Sequence, residues 1–133
     1  MGVRPLNGAI RVKRLGAQTL RWALLAIGLV ACLYFLNDAA FSGWMAGGPP
    51  GPHKGGWEFR AQSSLLRAVG ALLLGIAAFR AVKQVPNVSR TTWAVGALAL
   101  FTLLAPLAQR ALAIDKCLDS GGKWSPQALE CAR

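Results

Sequence analysis

Three apolar runs, Trp22–Leu36, Ala68–Phe79 and Thr92–Leu107, divide this chain into segments that sort its charges. Before the first run stand Arg4, Arg11, Lys13, Arg14 and Arg21, with no acid among them. Between the second and third stand Arg80, Lys83 and Arg90, again with no acid. The acids Asp38, Glu58, Asp115, Asp119 and Glu130 all fall in the first connection or after the third run. Successive segments of a three-span protein lie on alternate sides of the bilayer, and short segments rich in Lys and Arg stay on the cytoplasmic side. The pattern predicts an all-α membrane protein with three transmembrane helices, its N-terminus cytoplasmic and its C-terminus periplasmic, in a bacterial inner membrane.

Composition agrees. Of 133 residues, 54% are hydrophobic and 15% charged, where soluble domains carry about 25% charged residues. A net charge of +10 could suggest nucleic acid, but the basic residues flank apolar runs and do not cover a polar domain. They are expected to set topology and to meet the anionic headgroups of the lipid bilayer, each near-surface Lys or Arg contributing roughly 1 kcal/mol. No nucleic-acid partner is expected.

A spanning helix needs about 20 mostly apolar residues at a rise of ~1.5 Å each. The spans are predicted at about 20–41, 63–82 and 91–114, forming a transmembrane domain over 20–114. A basic cytoplasmic arm, 1–19, precedes it and a periplasmic tail, 115–133, follows. The second span is the shortest apolar stretch, since Arg67 and Arg80 bracket it. If that segment lay on the surface instead, the tail cysteines would return to a reducing space and the charge asymmetry would vanish; three spans satisfy both signals. Pro106 lacks a backbone donor, which predicts a kink near Thr102–Pro106. The connection Ser42–Arg60, with Gly47-Gly48-Pro49-Pro50-Gly51-Pro52 and Gly55-Gly56, is predicted to be an irregular external loop. Lys83–Arg90, with Pro86-Asn87, suits a tight cytoplasmic turn. Trp22 and Trp93 fall at the inner ends of their spans and Trp44 and Trp57 flank the outer loop, as interface anchors should.

Charges inside the spans are the first candidates for a role. Asp38 is the sole acid within a span, and Arg67 is the deepest of the basic residues. Helical rise puts both toward the outer boundary, along with Arg110, Asn37, Gln62 and Gln109. A buried charge persists only when paired or hydrated, so an intramembrane Asp38–Arg67 ion pair is predicted. The plainer alternative is that Arg67 and Arg110 reach to the headgroups while Asp38 stays solvated.

The tail reads Asp115-Lys-Cys-Leu-Asp-Ser-Gly-Gly-Lys-Trp-Ser-Pro-Gln-Ala-Leu-Glu-Cys131. Outside the bacterial cytoplasm Cys117 and Cys131 are expected to oxidise, and closing a loop of that length restricts the unfolded state by roughly 3 kcal/mol. This ending resembles the Cys-Leu-Asp-x-Gly-Gly-x-Trp…Cys tails of many small bacterial envelope proteins, some of them encoded beside secreted toxins and some of them lipoproteins. The resemblance covers the tail alone. It implies a disulfide-closed periplasmic micro-domain and assigns no activity. The tail is either a stapled, inert end or a partner-binding knob with Trp124 as an exposed aromatic anchor.

Leu29-Val30-Ala31-Cys32 matches a bacterial lipobox, yet Leu33-Tyr34-Phe35-Leu36 stay apolar where a lipoprotein continues with a polar tether. The simpler reading of Cys32 is a buried thiol. Ala71, Gly75 and Ala78 place small residues on one stripe of span two, which permits close packing between the spans or against a partner. His53 is the single histidine and sits in the Gly/Pro loop. No catalytic constellation, metal motif or cofactor motif stands out, so neither an enzyme nor a bound cofactor is expected.

The leading functional expectation is a non-enzymatic accessory or regulatory subunit that binds a larger membrane protein assembly. An immunity protein against a membrane-acting or periplasmic toxin is the second, drawn from the tail. A small channel or holin-like pore lined by Asp38 and Arg67 is the third. Small multidrug transporters carry an acid in the middle of the first span, and this chain has none there.

Overall fold

The computed structural model describes residues 6–49, 51 and 53–132. Its elements follow in the order α1 (Leu6–Ala46), α2 (Lys54–Gln84), α3 (Arg90–Asp119), β1 (Lys123–Ser125) and β2 (Glu130–Ala132). All three helices are long and apolar enough to cross a membrane, as in a multi-pass membrane protein. Each also outruns its predicted span. Hydropathy marks where a helix would meet hydrocarbon, whereas backbone capping decides where it ends. At 41 residues, α1 is about 62 Å long, twice the thickness of a bilayer core. Residues 6–19, assigned from sequence to a basic arm ahead of the first span, continue the first helix; Arg4 and the rest of residues 1–5 lie outside the described residues.

The first connection is the largest departure from expectation. α1 runs on through Ala46 and α2 begins at Lys54, so the loop shrinks from Ser42–Arg60 to residues 47–53. Gly55 and Gly56, taken from sequence as breakers, form the first turn of α2. They are needed there because the tail packs over that turn. A side chain at Gly56 would collide with the Ala128 carbonyl, and one at Gly55 would sit 3.2 Å from the Glu130 carboxylate.

α2 lies between α1 and α3 and packs along both, while no comparable contact joins α1 to α3. The result is an open layer of three helices. Its contacts are made by small residues. Gly28 of α1 meets Gly75 and Ala71 of α2 so closely that a Cβ built on Gly28 would stand 2.8 Å from the Gly75 Cα. On the other flank, a Cβ on Gly70 would stand 2.6 Å from the Leu103 side chain of α3. Ala68 and Ala99 are fully buried, and Ser42, Ser64 and Pro106 are the largest fully buried side chains. Large apolar residues such as Ile27, Val30, Tyr34 and Phe101 face outward. Small inside and large outside is what lipid favours. Hydrocarbon solvates Leu as well as a protein core does, so helices associate through close backbone approach.

The turn between α2 and α3 is as short as expected. Gln84 Oε1 accepts from the Ser89 N–H at 3.0 Å and from Thr92 Oγ1 at 2.8 Å, and Ser89 Oγ caps the start of α3. α3 is helical throughout Arg90–Asp119, with Pro106 inside it.

The tail is more ordered than its composition suggests. Gly121, at φ 72, ends α3 in a left-handed conformation, and the Gly122 N–H donates to the Cys117 carbonyl at 3.0 Å. This is a glycine-dependent helix stop. The chain then returns as an antiparallel hairpin with Trp124 opposite Cys131. Cys117 and Cys131 are joined, with their Cα atoms 5.6 Å apart. Gly122 makes room for the bridge, since a side chain there would strike both sulfurs. This small β-hairpin is an addition to the all-α architecture read from the sequence.

Candidate functional site

Polar groups from every element converge where α1 ends, α2 begins and α3 gives way to the hairpin. The tryptophans give this tail end a scale. Trp22 and Trp44 are 22 residues apart on α1, about 33 Å along the axis and close to the thickness of a bilayer core. Both are exposed, as is Trp93, and Trp57 is half-buried. Trp22 also packs edge-on against Phe79 with centroids 5.2 Å apart, and the Arg21 guanidinium lies 5.2 Å from the Phe79 ring. Trp44 and Trp57 belong to the tail end, where Phe41 contacts both rings.

Asp38 does pair with an arginine, but the partner is Arg60 and not Arg67. The Arg60 guanidinium donates through one Nη to Asp38 Oδ1 at 2.8 Å and through Nε to Oδ2 at 3.4 Å. Ser64, one turn further along α2, donates its hydroxyl to Oδ2 at 2.5 Å. The reason is helical phase: Arg60, Ser64 and Arg67 all lie toward the α1-facing side of α2, and Asp38 meets the nearest pair. Arg60 also lies 5.8 Å from the Trp57 ring. Arg60 is hidden as a candidate in the sequence because the Gly/Pro-rich connection Ser42–Arg60 ends on it. Arg60 is half-exposed and Asp38 one-quarter exposed, so solvent screening limits what the pair contributes. Asp38→Asn is therefore expected to lower stability by about 1 kcal/mol or less, read as the midpoint of denaturant unfolding in micelles. A loss several times larger would show that the pair holds the helices together.

Arg67 and Arg110 remain without a carboxylate partner among the described residues. They line one cleft of about 310 Å³ together with Asp38, Arg60, Ser63 and Ser64. Apolar walls come from Tyr34 and Phe35 on α1, Leu107 on α3 and Leu129 of the tail. The cleft thus takes its lining from α1, α2, α3 and the tail. Leu129 reaches it from a left-handed backbone conformation, φ 55, which costs a branched residue about 1–2 kcal/mol.

The tail is held to the start of α2 by charge. Glu130 Oε1 accepts from the Gly56 N–H at 2.9 Å, and Oε2 lies 3.6 Å from His53 Nδ1. His53 itself supplies no side-chain cap, so Glu130, 74 positions beyond Gly56, satisfies one of the orphan N–H groups of this helix end and complements its dipole.

The remaining candidates take structural places. Ala71 and Gly75 are buried against α1, and Ala78 is half-buried; the small-residue stripe serves packing within the chain. Trp124 is half-buried in the hairpin, and its indole N–H is shielded from solvent without an acceptor, unlike the exposed anchor expected. Cys32 is a free, buried thiol in the middle of α1. Among the described residues, no cluster of three His, Cys, Asp or Glu side chains could hold a metal ion.

No protein-family model matches this chain, and comparison with curated proteins and with solved structures finds no similar protein and no similar fold.

Proposed function

We propose that this chain is a non-enzymatic, multi-pass protein of the bacterial inner membrane that serves as an accessory or regulatory subunit of a larger membrane assembly. Its N-terminus lies in the cytoplasm and its disulfide-closed tail in the periplasm. The orientation is supported by eight basic residues and no acid in the segments assigned inward, and by a cysteine pair that is oxidised.

The observation that carries the binding role is the construction of the tail end. Asp38, Arg60 and Ser64 tie α1 to α2, Glu130 ties the hairpin to α2, and the disulfide ties the hairpin to α3. A rigid composite surface built from four parts is what a partner can recognise without an ordering cost. Elsewhere the helices meet mainly through glycine and alanine, which leaves few polar groups for recognition.

A photocrosslinking amino acid at Gln127, exposed on the hairpin, is expected to capture one discrete protein in native membranes. The same group at Leu20, exposed toward the other end of α1, should give no discrete product. A chain that purifies as a monomer and yields no adduct at Gln127 would rule the reading out.

A further inference from the structure

We propose that the cleft between α1 and α3 binds the phosphate of an anionic membrane lipid, with Arg67 and Arg110 as its ligands. The proposal rests on the tail end being the working end of the molecule, and it names what that end holds.

Arg67 is ten residues past Trp57, about 15 Å along α2 from the level where tryptophan marks the headgroups. Arg110 is nine residues before the end of α3, about 14 Å along that helix. Both residues line the same cleft. The one carboxylate that faces them, Asp38, is already engaged by Arg60 and by the Ser64 hydroxyl. With three arginines and one aspartate on its walls, the cleft carries an excess of two positive charges.

Two like charges in one cleft at membrane depth repel each other, and each loses hydration. Extension to the headgroups relieves a lone arginine on a lipid-facing surface. It relieves this pair less well, because both residues line one shared concave space. An oxyanion between them removes both penalties. The planar fork of arginine matches phosphate, with two parallel N–H···O bonds per guanidinium; the Ser63 hydroxyl on the cleft wall spends its proton on the Arg60 carbonyl at 2.9 Å, which leaves the anion to the two arginines.

The ligand must also be amphiphilic. The cleft's polar floor is flanked by Tyr34, 70% exposed, and Leu107, 56% exposed, which would lie along an acyl chain. Its volume of about 310 Å³ is at the lower end of ligand pockets, enough for a phosphate and its immediate substituents and too little for a whole lipid. A phospholipid whose phosphate enters the cleft while its chains remain in the bilayer fits both constraints. Asp38, close to the arginines, disfavours a second anionic group and so favours a single phosphate.

The test is native mass spectrometry of the full chain in detergent, with phosphatidylglycerol, phosphatidylcholine or inorganic phosphate added at equal concentrations. The wild type is expected to retain one phosphatidylglycerol per chain under conditions that strip phosphatidylcholine. Arg67→Gln and Arg110→Gln should each weaken retention about tenfold, the effect of losing a charge-assisted bond, and Arg80→Gln, at the opposite end, should leave it unchanged. Helicity and the Cys117–Cys131 bridge are checked in each variant; if a variant misfolds, the wild-type comparison of the three additives still decides. Equal retention of the two lipids would overturn the proposal, as would unchanged retention in the double variant. Displacement of the lipid by inorganic phosphate at the same concentration would make this a free-anion site and would also overturn it. Lipid retention is measured on the isolated chain and partner capture in native membranes, so either idea can fail without the other.

Discussion

Replacing Gly28 by leucine is expected to separate α1 from α2. The two helices cross at Gly28 and Gly75 with backbone against backbone, so even the Cβ of the new side chain would fall 2.8 Å from the Gly75 Cα and 3.0 Å from the Ala71 carbonyl oxygen. No flexible side chain stands there to swing aside. Overpacking typically costs 1–3 kcal/mol, and this site should lie at or above about 3 kcal/mol because only a shift of a whole helix can relieve it. The loss would also spread, since Asp38 reaches Arg60 and Ser64 only while α1 and α2 stay in register. Thermal unfolding in micelles provides the measurement, and two substitutions calibrate it. Gly96→Ala places its Cβ 4.0 Å from the Ala77 Cβ, an ordinary contact without a clash, and should stabilise by roughly 0.5–1 kcal/mol through helix propensity. Gly43→Ala has open space around it and should stabilise by roughly 0.5–1 kcal/mol through helix propensity. If Gly28→Leu melts with the wild type, the α1–α2 contact described here is wrong.

Cys131→Ser is expected to free the tail. The bridge closes a loop with a sequence separation of 14, worth roughly 3 kcal/mol, which corresponds to about a hundredfold change in the opening equilibrium. The hairpin has only three residues in each strand, and two-stranded hairpins are marginal by themselves. Its other anchor is Glu130 on the start of α2, and that contact should loosen with it. Proteolysis at Lys123 should therefore accelerate by about two orders of magnitude, while the three helices keep their melting behaviour. The same variant tests orientation. Cys117 is 3% exposed in the closed tail and becomes a free thiol, so a membrane-impermeant maleimide should label it from the periplasmic side. Cys32, buried in α1, should stay unlabelled throughout. A tail cleaved at the wild-type rate would remove the stapling argument, and labelling only from the cytoplasmic side would reverse the topology.

Asp38 shows where reading along the chain stops. Its need for a basic partner could be inferred from its place in an apolar span. The choice of partner could not, because Arg60 and Arg67 are two helical turns apart and share one side of α2. What separated them was whether Gly55 and Gly56 could belong to a helix. Those glycines look like breakers until Glu130, near the far end of the chain, accepts a hydrogen bond from one and lies against the other. Ala71 and Gly75 tell the same story from the packing side. A stripe of small residues promises a close helix contact without naming the neighbour, and the neighbour proved to be Gly28 of the same chain.

The sequence by itself determined that three helices here can cross a membrane and that two cysteines close the tail. Hydropathy sums along the chain, and the reach of a short loop needs no knowledge of distant contacts. Only the tertiary structure decided that Arg60 holds Asp38, that Glu130 holds the start of α2, and that Arg67 and Arg110 share a cleft. These depend on the rotation and offset of one helix against the next, which are set by backbone contact at a few glycines and are not encoded in any local pattern of charge or hydrophobicity.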